Sequence, residues 1–370
     1  MNFEKNNIPA RKLRVLIAPL DWGLGHATRC IPIIYELLSL DVEVFIAVED
    51  NIKNLLEKEL PEVNFLPLAG YNIRYSRNSI FFQFTLLAQL PKILIAVYAE
   101  KKWLKKIIPL HNIDAVISDN RLGLSNATIP CVYITHQLTI KAGNLVMEWL
   151  LQKIHYQFIN KYSICWVPDF ESAANFAGTL SHPKHLPKIP LRYLGLLSRL
   201  EKIEVKKKYD LLVLISGPEP QRTVFENILL NELRNFSGKT LFIRGLLASA
   251  TPLTSENINL EILNYLPSKK LNIAIQQAEL VICRSGYSTV MDLIRLQQKA
   301  ILVPTPGQTE QEYLSDYLSK KKLFFSLPQK KFSLNKLLEQ AKHFSLSVAP
   351  IVDTQPFKKI VQEFCSSVIK

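Results

Sequence analysis

The stretch 279-ELVICRSGYSTVMDLIRLQQKAILVPTPGQTEQEYLSDYL-318 decides how the chain folds. Residues 279–284 form a near-continuous apolar run, the pattern of a strand covered on both faces. The run breaks at Arg284-Ser285-Gly286, and apolar residues then recur at helical spacing over 287–297. A second strand is predicted at 299–304, a turn at 304-PTPGQ-308 and a further helix at 309–320. Strands that alternate with helices build a parallel sheet. The helix start after Gly286 leaves backbone N–H groups free, and with the helix dipole these make an anion site. Asp292, two turns into that helix, is placed to accept hydrogen bonds from a ribose diol.

The same alternation extends in both directions. Upstream lie predicted strands at 210-DLLVLIS-216, 240-TLFIR-244 and 258-INLEIL-263, with helices at 223–235 and 268–277. The first half carries strands at 13-LRVLIAP-19, 42-VEVFIAV-48, 114-DAVISD-119, 130-PCVYITH-136 and 162-YSICWVP-168, with a helix over 27–40. Between the halves, 181-SHPKHLPKIPLRYLGLLSRLEKIEVKKK-208 has three prolines and a basic run, as an inter-domain connection would. The expectation is an α/β chain of two doubly wound, Rossmann-like domains, residues 1–195 and 196–354. A final amphipathic helix over 355–370 is expected to pack back on the first. Each such sheet binds ligands in a crevice at the C-terminal ends of its strands.

Composition bounds the function more loosely. Apolar content of 48% and charged content of 21% fit a globular protein, and the net charge of +13 favours anionic partners. The basic residues are dispersed and form no nucleic-acid motif, so no nucleic-acid partner is expected. Cys30, Cys131, Cys165, Cys283 and Cys365 have no metal or disulfide spacing and read as reduced, buried thiols. The N-terminal residues show no apolar signal region, which predicts a cytoplasmic protein. The run 79–99 is interrupted by Gln83, Gln89, Pro91 and Lys92 and does not read as a membrane span.

The loop 18-APLDWGLGHATRC-30 invites a dinucleotide reading, with Gly23 and Gly25 followed at about twenty residues by Glu49 and Asp50. Thr28 stands where the third glycine belongs, and His26 would crowd a pyrophosphate, so the pattern argues against that site. His26 sits instead at a sheet mouth, where it either takes a proton near neutral pH or caps the helix locally.

The C-terminal block, Arg284-Ser285-Gly286 through Thr289-Val290 to Asp292, then Val303-Pro304, then Gln308, Gln311, Glu312 and Tyr313, resembles the nucleotide-sugar domain of glycosyltransferase family 28. The resemblance implies a GT-B fold, with the acceptor on the first domain and a UDP-sugar on the second. It places the diphosphate against the helix after Ser285-Gly286, ribose on Asp292, and the donor sugar near Gln308, Gln311 and Glu312. Tyr265 and Leu266 fall where uracil is met, and Arg199 near the phosphates. Two departures stand out: the family more often has glutamate at the position of Asp292, and its glycine-rich loop is here 216-SGPEPQR-222. Ser216, Gly217 and Arg222 are still expected to meet phosphate.

The chain contains no D-x-D and no Cys/His metal set, so no metal cofactor is expected; fixed donors, including Arg284, would hold the leaving UDP. An inverting displacement needs one base, and His26, Asp119 and His136 are the candidates, the last two at strand ends. Gly23 and Gly25 would give clearance on the acceptor side. In 92-KILIAVYAEKKWLKK-106, Lys101, Lys102, Lys105 and Lys106 flank Trp103, which suits either a solvated core helix or peripheral contact with the inner face of the cytoplasmic membrane and a lipid-linked acceptor. A UDP-sugar 2-epimerase of similar fold and a non-catalytic nucleotide-sugar binder are the alternatives.

Overall fold

The computed structural model describes residues 11–21, 24–73, 88–246, 250–344 and 356–369. The first sheet holds β1 (Arg14–Pro19), β2 (Glu43–Val48), β3 (Asn64–Pro67), β4 (Ala115–Asp119), β5 (Cys131–Ile134), β6 (Ile164–Val167) and β7 (Leu191–Tyr193), in the order β3-β2-β1-β4-β5-β6-β7. The second holds β8 (Tyr209–Leu214), β9 (Thr240–Ile243), β10 (Leu260–Leu263), β11 (Ala278–Cys283), β12 (Ala300–Leu302) and β13 (Phe325–Ser326), in the order β10-β9-β8-β11-β12-β13. Every pairing is parallel. The strand order reverses between β1 and β4 in one sheet and between β8 and β11 in the other. Ligands bind parallel sheets at such switch points.

Around the first sheet lie α1 (Leu24–Ser39), α2 (Asp50–Leu56), α3 (Leu90–His111) and α4 (Leu145–Ile159). Around the second lie α5 (Gln221–Leu233), α6 (Ser268–Gln277), α7 (Tyr287–Leu296), α8 (Thr309–Lys320) and α9 (Leu334–His343). Helix α1 buries Ala27, Cys30, Ile31, Ile34 and Leu37, a stripe at helical spacing against β1 and β2. Helix α10 (Pro356–Ile369) returns to the first domain. Gln362 donates to Glu36 of α1, and Phe364 packs edge-on against Trp166 of β6 at 5.4 Å. All five cysteines are buried and free.

The connection between the domains is shorter than expected, and of the two readings of 92–106 the core helix accounts for Trp103. The stretch 181–208 contains β7, which pairs with β6 and completes the first sheet; its backbone groups find partners there despite the flanking prolines. The linking segment is therefore residues 194–208. Trp103 of α3 packs into the core beneath the sheet, so its ring does not join the exposed lysines around it.

Candidate active site between the two domains

The first-domain half of the site follows from strand register. Pro19 at the end of β1 pairs with Asp119 at the end of β4, and Asp119 pairs with Ile134 of β5, two residues before His136. The three strand ends thus bring Asp119 and His136 to the mouth where α1 begins. His26 and Arg29, three residues apart, share one face of α1 and point into that mouth. Arg29, absent from the sequence-based expectations, is the hub. Its Nε donates to Asp119 Oδ2 at 2.8 Å and its Nη2 to Oδ1, a two-pronged grip on one carboxylate. Nη2 also lies 2.9 Å from His26 Nδ1, and Nη1 lies 3.1 Å from His136 Nδ1.

These contacts separate the three candidate bases. Burial alone would raise the Asp119 carboxyl, but Arg29 and then His26 outweigh it and hold the group far below the usual carboxylate range. Asp119 is thereby a weak base. His136 has both ring nitrogens engaged: Nδ1 accepts from Arg29, and Nε2 donates to Glu310 Oε1 at 2.7 Å. Its ring also stacks on Tyr287 at 4.3 Å. His26 places Nδ1 3.3 Å from Asp119 Oδ2, and among the described residues its Nε2 makes no hydrogen bond. Burial, followed by the Arg29 charge, lowers the His26 pKa and so favours the neutral ring.

The second domain supplies the facing wall. Gly286 caps α7 without a side-chain hydrogen bond, and a Cβ built there would meet nothing within 4 Å, so the helix N-terminus opens onto free space. Ser288 Oγ donates to the Gly25 carbonyl at 3.0 Å, which brings the first-domain loop to this helix end. Gly23 lies outside the described residues. Ser285 offers only its backbone here, because its hydroxyl donates to the Gln311 carbonyl at 2.8 Å. Gln311 Oε1 accepts from Thr305 N and Glu312 Oε1 from Gly307 N, both at 2.9 Å, so both side chains brace the 304–308 turn. Gln308 caps α8 with its Oε1 buried and unpartnered. Gly217 turns the chain after β8 with φ of 107°, a conformation suited to glycine, next to Ser216.

Two arginines are placed differently from expectation. Arg284 is fully buried and donates to the carbonyls of Val303, Pro304 and Gln221, with its guanidinium 4.0 Å above the Phe225 ring. Burial pulls its pKa down to about 9. It ties the ends of these segments together inside the second domain. Arg222 is held by Glu219 and Glu226, so two carboxylates occupy the donors that were expected to meet phosphate.

Asp292, Arg199 and Tyr265 meet at a second polar cluster. Ser198 donates to Asp292 Oδ1 at 2.5 Å, and Arg199 exerts its charge on the same carboxylate. The Arg199 Nε and Nη1 atoms are buried without a hydrogen bond. Tyr265 and Leu266 lie in the loop before α6, and Glu59 of the first domain reaches this loop: it accepts from Tyr265 Oη at 3.4 Å and from Ser268 N at 3.1 Å. Glu59 and Glu310 carried no signal in the sequence, since each acquires its partner across the cleft.

Residues 239–353 match the model of the glycosyltransferase family 28 C-terminal domain. No curated protein matches the chain in sequence. Solved structures share its architecture over nearly the whole length. The glycosyltransferase SnogD from Streptomyces nogalater superposes with a TM-score of 0.62 at 13% identity, covering 97% of this chain and 100% of its own. Acinetobacter baumannii MurG gives 0.54 at 14%, covering 97% and 99%. Phytolacca americana UGT2, solved with UDP-2-fluoro-glucose and pterostilbene, gives 0.59 at 10%, covering 97% and 100%. Fold and matched domain define a glycosyltransferase of the GT-B type.

Proposed function

We propose that the protein is an inverting, metal-independent glycosyltransferase that moves a sugar from a UDP-sugar to an acceptor hydroxyl, with His26 as the base. The observation that carries the reading is the arrangement of His26: Nδ1 lies between Asp119 and Arg29, burial and the Arg29 charge lower the ring's pKa, and Nε2 makes no hydrogen bond among the described residues. In the proposed reaction Nε2 takes the acceptor proton as the acceptor oxygen attacks the anomeric carbon, and the bond to the UDP oxygen breaks. Asp119 stabilises the imidazolium that forms. The open N-terminus of α7 receives the departing diphosphate charge. The reading gives that charge to fixed donors, the backbone N–H groups at the start of α7.

The donor assignment extends the likeness of the second domain and is supported by UGT2, a fold relative solved with a UDP-sugar analogue. The acceptor is proposed to be lipid-linked and met at a membrane surface. No helix of the described residues is long and apolar enough to cross a bilayer, but α3 exposes Leu94, Ile95 and Tyr98 ahead of its lysines.

The test is transfer from a UDP-sugar by wild type and His26→Asn, with the anomeric configuration of the product read by NMR. Expected are an inverted product and a kcat lower by roughly 10²–10⁴-fold in the variant, with donor affinity unchanged. Full transfer by His26→Asn would remove the histidine as base, and a retained configuration would remove direct displacement.

A further inference from the structure

Arg29 is 3% exposed, and its guanidinium is divided among three partners, from its own helix, from β4 and from the loop after β5. Nε and Nη2 hold Asp119, Nη1 faces His136 and Nη2 faces His26. A guanidinium can only donate. At His136 the consequence is fixed: Nδ1 must be bare to accept, so the ring proton sits on Nε2 and is given to Glu310. At His26 two demands meet on one nitrogen. Nδ1 lies 2.9 Å from an Arg29 donor and 3.3 Å from the Asp119 acceptor. A base working through Nε2 needs its proton on Nδ1, directed at Asp119. A buried carboxylate without a cation would do more than orient that proton: it would draw a second one onto the ring and leave an imidazolium, which accepts nothing.

We infer that Arg29 is a positioning residue that keeps His26 neutral and fixes the ring proton of His136 on Nε2. The inference rests on the reading of His26 as the base. The groups facing His26 are Arg29 from its own helix, Asp119 from β4, His136 from the loop after β5, and Glu310 from α8 of the second domain. Of these, Arg29 is the one permanent cation. Its grip on both Asp119 oxygens offsets the carboxylate, and the Nη1 contact ties the same guanidinium through His136 to the second domain. The direction of the His26 shift agrees, with burial first and Arg29 second among its causes.

The experiment is the pH dependence of kcat/KM for wild type, Arg29→Gln and Arg29→Lys. In Arg29→Gln the acid limb should move up by about one pH unit or more, so that activity lost at pH 7 partly returns at higher pH. Arg29→Lys keeps the charge but not the fork; its limb should stay near that of wild type while kcat falls. An unmoved limb in Arg29→Gln, or an equal displacement in both variants, overturns the inference. Failure of the base reading shows separately, as an acid limb that survives in His26→Asn. Should Arg29→Gln not fold, the wild-type protein decides: ¹⁵N NMR of the histidine rings should find His136 protonated at Nε2, and a proton on Nδ1 overturns the assignment.

Discussion

Asp292 illustrates a residue whose stability and proposed function pull in opposite directions. Burial raises its pKa from 3.8 to about 6, against the opposing effects of Arg199 and the Ser198 hydrogen bond. Because the folded value lies above the unfolded one, the native state binds more protons between those two pH values. Stability therefore falls as pH rises through that window, and the loss is complete above it. Asp292→Asn keeps an acceptor for Ser198 and removes the buried charge. It should stabilise the protein by about 2 kcal/mol at pH 7.5 and by almost nothing near pH 4, measured by urea unfolding. If the carboxylate receives the ribose, the same variant should bind a UDP-sugar roughly tenfold more weakly. Stabilisation without weaker binding would leave Asp292 outside the donor site. His26, Asp119 and His136 were legible in the sequence because each stands at an end of a recognisable strand or helix. Arg29 was not, although its i, i+3 spacing from His26 placed both on one face. The partners of Arg222 and Arg284 were not legible either, because the folded chain brings carboxylates to one and carbonyls to the other.

At the scale of elements, the N-terminus of α7 is where the proposed chemistry depends on backbone alone. Gly286 has φ of −68° and ψ of 134°, a conformation open to any residue, and its missing side chain would point into empty space. Glycine is thus not required there by the fold. Gly286→Ala should leave the Tm within a few degrees of wild type. If the diphosphate lies against this helix end, the added methyl group stands in its path, and the KM for donor should rise roughly tenfold, about 1.4 kcal/mol of lost binding. An unchanged KM would move the diphosphate elsewhere. The long strands and this helix were readable because buried parallel strands are nearly all apolar and α7 keeps a clean apolar stripe. Strands β3, β7 and β13 contain no fully buried residue and so lack the apolar run of the central strands; they exist because a neighbouring strand offers its edge.

For the whole molecule, the net charge of +13 and the uneven placement of apolar side chains bear on where the acceptor is met. Leu94, Ile95 and Tyr98 of α3 are 54%, 70% and 72% exposed, and Leu145, Val146 and Trp149 of α4 are exposed as well. The two helices are neighbours, since Ile93 and Ala96 share an apolar cluster with Phe158. Helix α4 begins a short turn beyond Lys141, whose carbonyl accepts from Thr309 across the domain boundary, so this face adjoins the cleft. Lys101, Lys102, Lys105 and Lys106 continue α3 as exposed cations. Apolar side chains beside lysines suit insertion at an anionic bilayer surface, where each basic residue contributes about 1 kcal/mol. The protein should therefore sediment with phosphatidylglycerol vesicles at low salt and be released as salt screens the attraction. Neutralising the four lysines to glutamine should weaken that binding on the order of 1,000-fold while leaving transfer to a water-soluble acceptor intact. Ile95→Glu with Tyr98→Glu should weaken it with the lysines in place, which separates insertion from attraction by charge alone. Binding to anionic vesicles that survives removal of all four lysine charges would refute this account of the surface.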